Sequence, residues 1–495
     1  MSDSASALSL RPGRLPRTAE RDHEQGRRAL VIAAATAALA TLVVGSAMLV
    51  LISASRSTFL TPTTDPAYFP RWMAGPLAGI WPRAPISDEA LRWLVSGLLG
   101  AMYLGYAVTV GVGARIGARW VIGVILAVHV LFLLAPPLQY TDVFNYINYG
   151  RMGVVHHLNP YATAPILEPH GDPAFALSNW HWLVSPYGPL FTLFTYALVP
   201  LGVAGSFWAL KVVICLASLT TLALVWRCAE LLGRDRVRAI ALVGLNPLVL
   251  LWELGADHND ILMMPALMLS VYLLLRARAC VDGDGEGAGR GRLEALAAAA
   301  LVPAIAIKAA AAVVVPVAFA AAPRRRAFLA GLVGAGVVMG ALSVLFFGMR
   351  LPGVGTQTSL VTDVGPPNLI GWLIGTGGET NALRTLLTAG AGFVVLGATL
   401  LALRRDRDWL ALAGIALATV WLTTSWFTPW YVVWMLPFAA LAVRPRLTVA
   451  MLAIGAYLLV AFGPEVSPLL HTLHFNPDGS SLGLAHSTVI DHLVQ

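Results

Sequence analysis

Residues 120–161 read WVIGVILAVHVLFLLAPPLQYTDVFNYINYGRMGVVHHLNPY. As far as Leu138 the segment is apolar; from Tyr140 onward it sets one acid, Asp142, among aromatics, amides, an arginine and two histidines. A helix needs about 20 apolar residues to cross about 30 Å of hydrocarbon. The segment therefore reads as a membrane span that opens onto a polar cluster at one bilayer face.

Working outward, apolar runs of similar length recur along all 495 residues. The chain is 57% hydrophobic and only 12% charged, with a mean hydropathy of +0.73, whereas soluble proteins carry about 25% charged residues. An all-α polytopic integral membrane protein follows. The alternating pattern of a membrane β-barrel is absent. The net charge of +7 comes largely from arginines in short loops. It forms no clustered basic face, which argues against nucleic-acid binding. Residues 1–28 are polar and Arg-rich and read as a disordered cytoplasmic tail. The first apolar run, about 29–53, is too long for a signal-peptide core and reads as a retained span. Cys215, Cys228 and Cys280 have no metal-ligand spacing, so neither a zinc site nor a disulfide framework is expected.

Arginine placement sets orientation, because cytoplasmic loops retain Lys and Arg. Placing the clusters at Arg27–Arg28, Arg115–Arg119, Arg227–Arg238, Arg276–Arg292, Arg324–Arg326, Arg404–Arg407 and Arg444–Arg446 inside gives spans near 29–53, 91–113, 120–138, 207–226, 238–255, 261–276, 327–347, 382–403, 408–425, 430–443 and 447–463. Residues 189–204 read as a juxtamembrane or re-entrant helix on the outer side. Residues 293–322 are interrupted by Pro303, Lys308 and Pro316. A hairpin with Lys308 near its tip keeps both arginine-flanked ends inside; one long tilted helix is the competing reading. The expected bundle has about 11–13 membrane segments over 29–463, followed by an extracytoplasmic tail, 464–495. On this topology the unusual polar residues gather on the outer face.

The candidate chemistry starts with Asp142. Thr141 can cap a short helix with Asp142 in its first turn, and Asp142, Tyr146 and Tyr149 then share a face by their spacing. Gly150 can break that helix. A carboxylate at the membrane surface beneath aromatic rings suits a general base for a hydroxylated substrate; the plainer reading is a helix-start carboxylate. The turn Asp257-His258-Asn259-Asp260, with Glu253 one turn earlier, is a dense polar patch between strongly apolar spans, and ionisable groups at membrane depth mark function by default. One His and two carboxylates make it a poor metal site. The chain has only two lysines, Lys211 and Lys308. A charge deep in a span is expensive unless paired with an anion, and a lipid phosphate would supply one to Lys308; Lys211 could simply snorkel. Arg151 is a third phosphate partner to consider. Trp180, Trp182, Tyr187, Trp426, Trp430, Tyr431 and Trp434 form an interface belt or stack on sugar rings. His156 and His157 receive no role. No nucleotide-binding or hydrolase fingerprint appears in a supporting context, so energy for synthesis would arrive in an activated lipid-borne donor or from a gradient.

The motifs DVFNYINYG…NPY, SPYGPLF, NPLVLL…DHND, the Lys308 hairpin and TPWYVVW occur in an order that resembles the GT-C glycosyltransferases that use polyprenyl-phosphate sugars. The likeness covers roughly 120–440 and is nearest to actinobacterial polyprenyl-phosphomannose-dependent α-mannosyltransferases. By resemblance, Asp142 matches the catalytic acid of the first large extracytoplasmic loop. Tyr187-Gly188-Pro189 matches the PYGP turn, His258-Asn259-Asp260 the HND turn, and Lys308 the intramembrane lysine. Asp257 stands where a small residue is expected. The tail after Pro464 is too short for the soluble carbohydrate-binding domain of some relatives. The resemblance implies a mannosyltransferase of the bacterial plasma membrane, working at the outer face. Its donor would be a polyprenyl-phosphate sugar and its acceptor a glycolipid or lipoglycan, with neither nucleotide nor metal cofactor. Asp142 would be the base of an inverting displacement. Tyr146, Arg151, Tyr187, Lys211, Asp257, His258, Asp260, Lys308 and Trp430 would bind substrate. The rival reading is a lipid-linked substrate transporter or flippase, which would bind near the bilayer midplane and carry two similar halves; no internal repeat is evident.

Overall fold

The computed structural model describes residues 17–55, 60, 70–81, 86–115, 117–279, 286–353, 355, 360–404, 406–464 and 472. Among them there is no strand, and helices account for nearly all regular structure. The chain is an all-α, multi-pass membrane protein. Cys280, the Gly/Asp-rich loop, most of the loop after residue 55 and nearly all of the tail after Pro464 lie outside the described residues.

Six of the described helical segments are long and apolar enough to cross a membrane: Arg28–Ala54, Asp88–Val112, Pro189–Leu231, Asp260–Ala279, Arg325–Phe347 and Asn381–Ala402. A seventh is obtained if the pair Arg236–Gly244 and Val249–Gly255, bent by 62°, counts as one span. Five shorter apolar helices of 10–17 residues accompany them. The expected segments are therefore present, but several are too short or too broken to be full spans by length alone. The first helix, α1 (Arg17–Ala54), also begins inside the segment expected to be a disordered tail.

Each break has a local cause. The helix α7 (Arg236–Gly244) starts at Asp235, whose carboxylate accepts from the N–H groups of Val237 and Arg238, and it ends just before Asn246-Pro247. Proline cannot donate to the helical ladder, and the chain resumes as a π-helix, Val249–Gly255. A π-helical turn is rare and tends to occur at functional sites. The expected straight span 238–255 is thus two pieces. The expected span 430–443 is likewise a tight turn, Pro429–Trp434, followed by the short helix Leu436–Leu441.

The hairpin reading of 293–322 holds. Helix α9 (Glu286–Ile307) stops at Lys308, whose backbone is extended (φ −142°, ψ 121°). A tight turn, Ala309–Val313, leads into α10 (Val314–Ala321). The descending arm returns to the start of the ascending one: the Arg324 N–H donates to Glu294 Oε2 at 2.7 Å. At the same end the Arg278 side chain donates to the Ala321 carbonyl at 2.6 Å. Lys308 is left at the tip.

Helix α4 (Asp142–Val154) lies against α5 (Pro189–Leu198). Gly150 does not break α4 as expected. A Cβ there would sit 2.9 Å from the Thr195 carbonyl oxygen, and one at Gly153 only 2.1 Å from the Tyr196 ring. These glycines are what let the two backbones approach. Helix α5 and α6 (Gly202–Leu231) are interrupted only by the turn Val199–Leu201 and Gly202 at φ 69°. Together they form one 43-residue apolar segment, Pro189–Leu231, so the helix expected to lie apart on the outer side over 189–204 instead runs on into the span. In the interior α8 (Asp260–Ala279) packs between α6 and α9, and α9 packs on α11 (Arg325–Phe347).

Candidate active site

Asp142 is the first residue of α4, and Thr141 precedes it without making a side-chain cap. The helix is held in place by its aromatic face. Tyr149 donates its hydroxyl to the Leu183 carbonyl at 2.6 Å. Tyr146 packs edge-on against Tyr187 with centroids 4.8 Å apart, and its hydroxyl accepts from the Asn259 N–H at 3.3 Å. Tyr187 points its hydroxyl at Asp142 Oδ1, 3.5 Å away.

The second segment is the turn that follows the π-helix. The Leu138 N–H donates to the Gly255 carbonyl at 2.9 Å, which ties the end of the opening apolar run to this turn. Asp257 adopts φ 59°, a left-handed conformation that a few non-glycine residues, Asn and Asp among them, tolerate. It is held there by Lys211 Nζ at 3.2 and 3.3 Å from its two carboxylate oxygens, with both side chains fully buried. His258 Nδ1 lies 2.6 Å from the Trp252 carbonyl, and its Nε2 lies 3.6 Å from Asp142 Oδ2. The imidazole is sandwiched flat against Trp430, with centroids 3.7 Å apart at 18°. Asp260 opens α8 and is shared between Trp434 Nε1 at 2.8 Å and Lys308 Nζ at 3.0 Å. Glu253 Oε2 accepts the Ile261 N–H at 3.0 Å and so fixes the start of α8 against the π-helix.

The hairpin tip meets the PYGP turn directly. The Gly188 N–H donates to the Ile307 carbonyl at 3.2 Å, and a Cβ on Gly188 would fall 2.1 Å from the Ala306 carbonyl oxygen. Lys308 Nζ then sits 5.1 Å from the Tyr431 ring centroid and 5.8 Å from that of Tyr187.

A cavity of about 170 Å³ lies among these segments, Leu360 and the stretch from Trp426 to Tyr431. Of the residues singled out from sequence, Asp142, Tyr146, Tyr187, His258, Lys308 and Trp430 line it, joined by the aromatics Trp180, Trp426 and Tyr431. Asp260 stands behind Lys308. Lys211 and Asp257 are not brought to the cavity but neutralise one another beneath the turn. Arg151 is elsewhere too: its guanidinium grips Asp172 with contacts of 2.8 and 2.9 Å, and His156 Nε2 joins the same carboxylate at 2.8 Å. That contact also gives His156 the partner its sequence context did not reveal. The charged groups thus differ sharply in access. The side chains of Asp257 and Asp260 are fully buried, whereas those of Asp142 and Lys308 are 18% and 15% exposed.

Sequence reasoning missed the other face of α4. Asn145 Oδ1 accepts the N–H groups of both Asn179 and Trp180 at 3.1 Å, and its amide donates to Asn179 Oδ1 at 2.8 Å. Asn148 donates to Glu168 Oε1 at 2.7 Å. With Arg151 these form an i, i+3, i+6 ladder that pins the loop carrying the cavity residues Asn179 and Trp180; that spacing was the available signal. Burial pushes the Glu168 carboxyl up to about 7, although the Asn148 hydrogen bond works the other way. Burial opposes ionisation of Asp172 as well, but Arg151, the Ala174 N–H and His156 together outweigh it and hold that carboxyl below its ordinary value.

Comparison with known proteins converges on one family. Residues 42–324 match the profile of the alpha-(1->6)-mannopyranosyltransferase N-terminal domain, and residues 361–483 match the MptB C-terminal domain. Alpha-(1->6)-mannopyranosyltransferase A of Mycobacterium tuberculosis is 28% identical over 369 residues, 69% of each chain. A probable alpha-(1->6)-mannopyranosyltransferase of Mycolicibacterium smegmatis is 27% identical over 384 residues, 68% of this chain and 67% of its own. No solved structure matches the chain at a significant level.

Proposed function

The chain belongs to the alpha-(1->6)-mannopyranosyltransferase family, and on that premise we propose that it transfers mannose from a polyprenyl-phosphate donor to a glycolipid or lipoglycan hydroxyl at the extracytoplasmic membrane face, with Asp142 as general base. The observation that carries this reading is the contrast in access among the acids: Asp142 is open to the cavity, while Asp257 and Asp260 are each buried against a lysine.

The donor enters laterally from the bilayer and sets its phosphate beside Lys308 at the hairpin tip. The acceptor hydroxyl lies between Asp142 and the anomeric carbon. Asp142 removes the hydroxyl proton as the oxygen attacks opposite the phosphate, and a single displacement inverts the centre to give the α linkage. Phosphate leaves with the electron pair of the broken bond. It needs cationic help more than a proton, and that help is worth most in a water-poor site. Trp430, backed by the His258 imidazole stacked against it, presents a flat wall on which a sugar ring can rest. Lys211 and Asp257 shape the turn from below rather than touching phosphate, and Arg151 secures the loop above.

The experiment is transfer of labelled mannose from polyprenyl-phosphomannose to membrane glycolipid by purified protein. Asp142→Asn is expected to abolish transfer while the protein stays folded and inserted; full activity would overturn the assignment. Accessibility labelling of a cysteine introduced beside Asp142 tests the membrane side, and reaction only from the cytoplasm would refute the extracytoplasmic placement.

A further inference from the structure

Asp142 can accept only one proton, and the site must clear that proton before the next turnover. The group placed to take it is His258. The imidazole is 1% exposed and is fixed on three sides. Trp430 covers one face, Tyr140 meets it edge-on with centroids 5.6 Å apart, and Nδ1 lies 2.6 Å from the Trp252 carbonyl. A carbonyl oxygen only accepts, so Nδ1 carries the proton and the neutral ring keeps its lone pair on Nε2. That nitrogen has no hydrogen-bond partner among the described residues, and it faces Asp142 Oδ2 across 3.6 Å. Buried side-chain nitrogens without a partner are rare and call for an explanation.

The carbonyl that fixes the tautomer comes from the π-helix. Trp252 lies within Val249–Gly255, and the Nδ1 contact spans only six residues. The bend after Asn246-Pro247 and the wide turn that follows therefore decide which ring nitrogen faces the cavity. The nearby charges suit an imidazolium formed during the reaction. Asp142 is the acid it faces, Asp257 is the adjoining residue and is paired with Lys211, and Lys308 across the cavity is already paired with Asp260.

We propose that His258 Nε2 receives the acceptor's proton from Asp142, so that the two residues act as a base pair whose direction is set by the Trp252 carbonyl. This rests on the reading of Asp142 as the base. In the forward reaction the acceptor oxygen forms its bond to the anomeric carbon, and the bond from that carbon to the phosphate oxygen breaks. The electron pair leaves on phosphate, and the proton passes from the hydroxyl to Asp142 Oδ2. It then crosses to Nε2, which restores the carboxylate and leaves an imidazolium held by Trp252 and Asp142. Release of that proton to water as product departs resets the neutral tautomer.

The test is chemical rescue in the full-length protein in lipid nanodiscs, using labelled polyprenyl-phosphomannose. His258→Ala is expected to lower kcat about a hundredfold, the scale of a lost acid–base group, with little change in the KM for donor. Added imidazole should restore at least a tenth of the lost rate by occupying the space against Trp430. Pyrazole, of the same size but far less basic, should restore almost none. His258→Asn, whose amide N–H can still reach Trp252, covers the case in which the alanine variant fails to fold, and it should be slow for the same reason. Equal rescue by pyrazole, or a kcat near wild type in both variants, would show that the ring only fills space and would overturn the proposal while leaving Asp142 as base. An active Asp142→Asn enzyme would instead remove the base reading and this inference with it.

Discussion

Lys211 offers the sharpest test of how the site is built. From sequence it was a candidate phosphate ligand, yet its ammonium lies 3.2 Å from Asp257 with both side chains fully buried. Breaking a buried pair by removing one partner costs about 3–5 kcal/mol, because the survivor is left charged and unsolvated, whereas replacing both partners is often nearly neutral. Lys211→Met should therefore destabilise the protein by about 3–5 kcal/mol. Asp257→Asn keeps a residue that tolerates the left-handed backbone at φ 59°. The double variant should recover most of the loss, with a coupling energy of about 3 kcal/mol in the cycle, the upper end for residues in contact. Reversible unfolding by denaturant in mixed micelles measures the four stabilities, and titration with labelled donor measures binding. The structural pair predicts a double variant that still binds donor within a few-fold of wild type. A double variant no more stable than Lys211→Met would refute the ion-pair argument. A stable double variant that no longer binds donor would return Lys211 to the phosphate.

Three further outcomes follow from particular contacts. Gly188→Ala places a methyl 2.1 Å from a backbone oxygen of the hairpin tip. Neither side can yield without moving Lys308, so transfer should fall at least about tenfold even where the variant folds, as misplacing a group by about 1 Å can cost a hundredfold; unchanged initial rates would contradict it. Asn145→Ala removes three hydrogen bonds that hold Asn179 and Trp180, worth about 1 kcal/mol each. Its effect should appear as a raised KM for acceptor with donor binding intact, and kinetics against each substrate separate the two. Glu168 has a folded-state carboxyl raised to about 7, mainly by burial. The folded chain then holds more protons than the unfolded one between the ordinary carboxylate range and about pH 7, so stability falls as pH rises through that window. Glu168→Gln should flatten this slope in unfolding measured at several pH values, and an unchanged slope would place the effect on another group.

Much of the bundle was legible in the sequence because hydrocarbon imposes a length and an apolarity on every span. The hairpin at Lys308 was legible for a related reason: prolines, a lone lysine and arginines at both ends leave few ways to place the segment. The cavity residues Asp142, Tyr187, His258, Lys308 and Trp430 were legible as polar or aromatic exceptions at the ends of apolar runs. The pairings were not. That Lys211 meets Asp257 rather than a ligand depends on how α6 approaches the turn, and sequence spacing carries no trace of a contact between residues so far apart. The π-helix was hidden because its residues, VLLWELG, are as apolar as any span, and only the Asn246-Pro247 break hints at irregularity. Gly150 was misread because a glycine that ends a helix and one that admits a neighbour look alike in a single sequence. The α4 ladder was obscured because the amides of that helix stand among aromatics in the sequence, and their partners, Glu168, Asn179 and Trp180, lie at least 20 residues away.

The site is drawn from separate stretches that reach from Tyr140 to Trp434, and this has a consequence for how the protein is made. Synthesis delivers the acid and the PYGP turn first, then the histidine turn, then the lysine hairpin, and the tryptophan that closes the wall last. Chains are completed and inserted from the N-terminus. A nascent chain interrupted before residue 425 would hold Asp142, His258 and Lys308 yet lack Trp430 to flatten the imidazole and Trp434 to hold Asp260. Unfinished chains in the membrane would therefore be idle, and competence would appear only with about the last seventh of the polypeptide.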